Sequence, residues 1–149
     1  MGDPASPEIE VEVEDPAWNA VPDVAAVVTR AARAAGPAGG VVILLTDDEA
    51  VAELNQQFRH KAGRTNVLSF PAPQNPENLL GDIALAYGVC AREAVEQGKS
   101  LADHLSHLTV HGVLHLAGYD HGNDDEAQVM EDLERRVLAT LGVSDPYAS

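Results

Sequence analysis

Cysteine is almost absent. Cys90 is the only one in 149 residues, so an internal disulfide is excluded and a reducing, cytoplasmic setting is expected. Aromatics make up 4% of the chain, so a core has to be assembled mainly from Leu, Val and Ile, with much alanine around them. No apolar run approaches the roughly 18 residues of a membrane span. The longest strong run is 41–45. The acidic start of the chain has no secretory hydrophobic region and does not read as a signal peptide. Basic residues are also few, nine against 24 acidic ones, for a net charge of −15. That balance opposes indiscriminate binding to nucleic acid, and neither DNA nor a membrane is expected as a partner.

The charge falls in blocks. Sixteen of the 24 acids lie within 3–15, 47–49 and 120–134, whereas 54–76 contains none and carries Arg59, Lys61 and Arg64. Those three cations either solvate a surface loop or form a positive lip on an acidic body, to which a polyanion would be confined. Arg59 has a plain structural reading as well, as a cation complementing the dipole at a helix C-terminus.

Periodicity supplies the elements. Ile9, Val11 and Val13 alternate with four glutamates, which predicts a half-buried strand whose charges guard a sheet edge, broken at Asp15-Pro16. Apolar positions at helical spacing predict a helix over 21–35. The unbroken run 41–45 predicts a central strand buried on both faces. Thr46 and Glu49 have capping-box spacing for a helix to about His60, with Val51, Leu54 and Phe58 inward. Asn55 in that helix is either exposed or ties down the loop that follows. Gly63 permits a turn before a strand over 67–70, and a further strand is expected over 81–86, with Asp82 read as a turn residue or as one lying near the site. Cys90 falls in a short helix over 89–97 and is read as a small residue without chemistry. Ser100 and Asn123 are N-caps for the last two helices, the second striped by Val129, Met130, Leu133, Val137, Leu138 and Leu141.

This order predicts an α+β fold, a mixed four-stranded sheet packed with about five helices, the central one buried and rich in histidine. A single domain spanning 1–149 is long enough to bury about two thirds of its unfolded surface.

The most informative stretch is His111-Gly-Val-Leu-His115-Leu-Ala-Gly118-Tyr-Asp120-His121. Residues four apart project from one helix face, so His111 and His115 can close on one ion. Gly118 can adopt the left-handed conformation that ends a helix, letting the chain return with His121 as third ligand. Three imidazoles with an open fourth position describe a catalytic zinc site, one Zn2+ per chain. His104 and His107 are set aside, because the turn at Gly118 carries His121 towards His115 and not a further turn back. The spacing is also that of the extended metzincin signature, with Gly112 where the general-base glutamate stands.

The string as a whole resembles the YbeY family of bacterial zinc-dependent endoribonucleases, the ribosomal RNA maturation factors. Leu54-Asn55, Arg59, Thr65 to Pro71 and Leu80 to Ile83 fall in that family's order, so the resemblance is clearest over 41–121. It departs at Asn66, where the family more often has Asp. The resemblance implies metal ligands His111, His115 and His121 and a catalytic Arg59 at the scissile phosphate. It also implies a single-stranded RNA substrate, ribosomal RNA above all, with the ribosome or its proteins as partners. Asp120 fits a proton acceptor as well as it fits a turn-former or a group that orients a metal ligand, and the sequence does not choose between water and a ribose hydroxyl as nucleophile. Two rivals stand beside this reading. One is a zinc metallopeptidase, opposed by Gly112; the other is a non-catalytic ribosome-associated protein whose zinc is structural.

Overall fold

A computed structural model describes residues 8–59, 65–73, 75–76, 78–119 and 122–147, without the side chains of Phe58 and Arg59. Its elements in chain order are β1 (Ile9–Val13), α1 (Val24–Ala34), β2 (Gly40–Thr46), α2 (Asp48–Arg59), β3 (Val67–Pro71), β4 (Leu79–Ala86), α3 (Tyr87–Glu96), α4 (Leu101–Leu116) and α5 (Asp124–Thr140). The four strands form one sheet in the order β1-β2-β4-β3. β1, β2 and β4 run parallel, and β3 pairs antiparallel to β4 along the other edge. The fold is therefore the expected α+β arrangement, with a mixed four-stranded sheet and five helices.

Strand alternation divides the sheet into two faces. Ile43, Leu45, Ile83 and Leu85 point into a core shared with Val28 of α1 and with Leu105 and Val113 of α4. Leu44, Ala84 and Leu68 point the other way and meet Val51 and Leu54 of α2. Hence α4 and α2 lie on opposite faces, and β3 is the edge between them. The run 41–45 is central, as its composition demanded, and β1 presents Glu10 and Glu12 to solvent on the far edge.

Several local expectations need correction. Thr46 does not cap α2: it closes β2 opposite Ala86, its carbonyl accepts the Trp18 indole N–H at 2.9 Å, and Asp47 Oδ1 takes the Ala50 amide at 2.7 Å instead. The first helix starts at Val24 and not Val21, because Pro16–Ala20 forms a separate 3-10 turn that buries Trp18 completely. Asp82 lies within β4 opposite Phe70, so it is a strand residue and not a turn-former. Asn55 is buried, not exposed. Gly63 and the turn it was expected to make lie outside the described residues.

Two glycines set how closely α4 meets the sheet. A side chain at Gly81, whose φ is +155°, would run into the Phe70 carbonyl and Leu116, so β3, β4 and the end of α4 can approach only without it. At Gly112 a Cβ would sit 3.0 to 3.3 Å from three atoms of Ile83. Among the described residues no helix is long and apolar enough to cross a membrane.

Candidate metal centre

Ser100 caps α4 by accepting the Asp103 amide at 3.1 Å, and the helix ends as the glycine predicted. Gly118 has φ +105°, its N–H donates to the His115 carbonyl, and the Tyr119 N–H reaches back to the Leu114 carbonyl, both at 3.1 Å. These two hydrogen bonds form the Schellman arrangement that satisfies the last carbonyls of a helix. The turn has a second effect. It swings the Tyr119 carbonyl over the preceding helical turn, where His115 Nδ1 donates to it at 3.0 Å.

His111 is held in the same manner by a different group. Its Nδ1 lies 2.9 Å from Glu134 Oε1, on α5. The two imidazoles stand 6.1 Å apart, centroid to centroid, with their planes within 16° of parallel. With Nδ1–H committed to an oxygen acceptor in each ring, the neutral tautomer carries its lone pair on Nε2. That is the condition in which histidine ligates a metal, and a carboxylate or carbonyl behind the ring is the usual device for imposing it. The donors present therefore fit a zinc ion. Among the described residues no three His, Cys, Asp or Glu side chains converge on one point; His121 and Asp120 lie outside them. The backbone of Arg59 sits at the C-terminal end of α2, across the sheet from α4, and Lys61 and Arg64 also lie outside the described residues.

Glu134 was missed in the sequence, where it counted as one more surface acid. It is fully buried and takes three donors: His111, His107 Nε2 at 2.8 Å and the Tyr147 hydroxyl at 2.7 Å. Burial pushes its carboxyl up, but the hydrogen bonds from His107, His111 and Tyr147 outweigh that and bring its pKa down to about 2. A signal for it existed. Met130, Leu133, Val137, Leu138 and Leu141 form the buried stripe of α5, and Glu134 stands in the middle of that stripe, where an acid needs partners.

The two histidines that were set aside each have a carboxylate. His107 is on Glu134, and His104 Nε2 is 2.9 Å from Glu93 Oε1. Asn66 donates to the same Glu93 at 3.0 Å and accepts the Val67 amide at 2.7 Å, so it ties the start of β3 to α3. An Asp here would face the Glu93 carboxylate and could not donate to it. Cys90 is buried beside this cluster, and burial together with the nearby Glu93 and Asp48 pushes its thiol up to about 12, leaving it inert.

Burial lowers the pKa of His104, opposed by its hydrogen bond to Glu93 and aided by Lys99 and His107. The folded chain thus holds His104 neutral where the unfolded chain protonates it. Its contribution to stability is present above the unfolded value of 6.5 and is lost as pH falls through the lower folded value. Thermal melts from pH 7.5 to 5.5 should show a steeper loss for the native chain than for His104→Gln. Parallel curves would reject the role of His104.

Three features surround the end of α4. On the α5 side is a hollow of about 520 Å³ with Asp125 and Glu126 in its wall. On the β3 side one of about 300 Å³, walled by Pro71, Ala72, Leu80 and Leu116, has no charged group among its described residues. The edge strand itself touches α4 through Ser69, whose hydroxyl donates to the Gly112 carbonyl at 3.3 Å.

Comparison with known proteins agrees with the resemblance read from the sequence. The family model described as Endoribonuclease YbeY matches residues 8–142 of the 149. A curated Endoribonuclease YbeY of Maricaulis maris is 54% identical, over 93% of this chain and 91% of that protein. Those of Rhodopseudomonas palustris and Azorhizobium caulinodans are each 48% identical, over 97% and 95% of this chain and 83% and 96% of theirs. A Thermotoga maritima protein solved in solution superposes with a TM-score of 0.57 at 23% identity, over 95% of this chain and 96% of that one, a likeness of fold.

Proposed function

Since this chain belongs to the Endoribonuclease YbeY family, we propose that it is an endoribonuclease that cuts single-stranded RNA, ribosomal RNA above all. The whole chain acts as one hydrolase domain, with one zinc ion held by His111, His115 and His121. The observation that carries the metal site is the pair of Nδ1 hydrogen bonds, His111 to Glu134 and His115 to the Tyr119 carbonyl. Two rings from one helix face are thereby preset as ligands of the same kind.

When bound, the metal supplies Lewis-acid polarisation of a phosphoryl oxygen and makes water a stronger acid. The protein's own part is positioning. Arg59 holds the phosphate by charge-assisted hydrogen bonds and offsets charge that develops on it. Because Arg59 and the histidines belong to elements on opposite faces of the sheet, a strand engaged by both runs round the β3 edge. That route suits a polyanion. The acid-free stretch 54–76 includes β3, whereas the α5 side of α4 presents Asp125 and Glu126. An acidic body with one neutral-to-basic approach keeps RNA off the rest of the surface. The proposed setting is the cytoplasm, at the ribosome or its proteins.

Labelled single-stranded RNA incubated at low salt with zinc should be cut by the native chain. His115→Ala prepared in parallel should lose that cleavage by at least about 100-fold, as expected for removal of a ligand. Equal cleavage by both would trace the activity to a contaminant or another site.

A further inference from the structure

The segment after α5 reaches the metal centre through one hydroxyl. Asp145 accepts Arg135 Nε at 3.0 Å and the Tyr147 amide at 2.8 Å, and the Arg135 guanidinium lies 5.3 Å above the Tyr147 ring. The ring meets His107 edge to face at a centroid distance of 5.6 Å. So fastened, Tyr147 donates its hydroxyl to Glu134 Oε2 at 2.7 Å, while the other oxygen of that carboxylate accepts from His111.

We infer that Tyr147 is a positioning residue for the metal centre, fixing the rotation of the Glu134 carboxylate so that Oε1 stays aimed at His111 Nδ1. The inference rests on the proposed metal site. Without Tyr147 the carboxylate keeps a donor on each oxygen, His111 on Oε1 and His107 on Oε2, and can rock about its terminal torsion, which is broad. With His107 and Tyr147 both on Oε2, that rocking strains two bonds at this oxygen in place of one. Burial and the adjoining carboxylate raise the phenol pKa, so the hydroxyl is a donor at neutral pH. The contact is built by local chemistry: Pro146 precedes the tyrosine, Asp145 turns the chain, and Arg135 clamps both.

The test is zinc affinity of the full chain, measured by competition with a chromophoric chelator. Tyr147→Phe keeps the ring and removes only the donor, and should weaken zinc binding about 3- to 10-fold, less than loss of a direct partner of the ligand. The nitrogen shifts of His111 in metal-free protein should move towards mixed tautomers. Arg135→Ala, which unfastens the segment but keeps the hydroxyl, should weaken binding in the same direction. Unchanged or tighter zinc binding by Tyr147→Phe overturns the inference and leaves 143–147 as packing alone, while the metal site stands. Absence of zinc binding by the native chain would overturn the metal site and this inference together.

Discussion

Glu134→Gln is expected to weaken zinc binding by about 10- to 100-fold and to lower RNA cleavage at limiting zinc to match. Glu134 receives three donors, from His111, His107 and Tyr147, and as a carboxylate it can accept all of them. A glutamine offers one oxygen and one NH2 group. If the oxygen faces His107 and Tyr147, the NH2 faces His111 Nδ1, and that ring can keep the contact only by moving its proton to Nε2. The lone pair needed for the metal is then on the wrong nitrogen. If the amide turns over, the NH2 group, on a side chain that is itself fully buried, opposes the His107 and Tyr147 donors, which costs about 1–3 kcal/mol for each group left unsatisfied. Either orientation harms the centre, and excess zinc should restore part of the cleavage. Chelator competition with native and substituted chains settles it; equal affinities would show that Glu134 is not what holds His111.

Gly112→Glu is expected to cost the fold rather than to change the reaction. The metzincin spacing makes this the obvious substitution for creating a peptidase. The structure places position 112 against Ile83, itself fully buried, with the first side-chain carbon 3.0 Å from Ile83 Cδ1. A glutamate there pushes its carboxyl into the core between α4 and β4, against the apolar Ile83 side chain. Overpacking costs about 1–3 kcal/mol and an uncompensated buried polar group a similar amount or more, so a loss above about 4 kcal/mol is expected. That corresponds to a fall in Tm of about 10 °C or more, read by circular dichroism, or to insoluble protein. Gly112→Ala separates the causes: its methyl crowds Ile83, but alanine recovers up to about 1 kcal/mol of helix propensity, so it should stay near native stability. A well-folded Gly112→Glu chain that hydrolyses peptides would revive the metallopeptidase reading.

Legibility of this chain followed how far each signal travels along the sequence. The run 41–45, the alternation of β1, the caps at Ser100 and Asn123 and the turn at Gly118 are local, and each is where its pattern placed it. Thr46 shows the limit. Its spacing to Glu49 was right for a capping box, but pairing with β4 and the Trp18 indole competed for the same residue, and neither is visible locally. Trp18 itself lies in a 3-10 turn too short to have a period. At the candidate site, the spacing placed the His111 and His115 rings side by side because residues four apart share a helix face. The groups that hold those rings were not legible. Glu134 is 23 residues from His111 and comes from another helix, and the Tyr119 carbonyl is backbone, which no side-chain pattern reveals. The opposite-face placement of α2 and α4 likewise depends on sheet order.

RNA cleavage by this chain is proposed to depend on a metal held on α4. The most direct test of that dependence is to strip the protein with chelator and titrate zinc back while following cleavage of a labelled single-stranded RNA. Cleavage should rise from background to a plateau at one zinc per chain, and His111→Ala should stay at background through the same titration. Full cleavage by stripped native protein in excess chelator, or a native plateau in His111→Ala, would contradict the account.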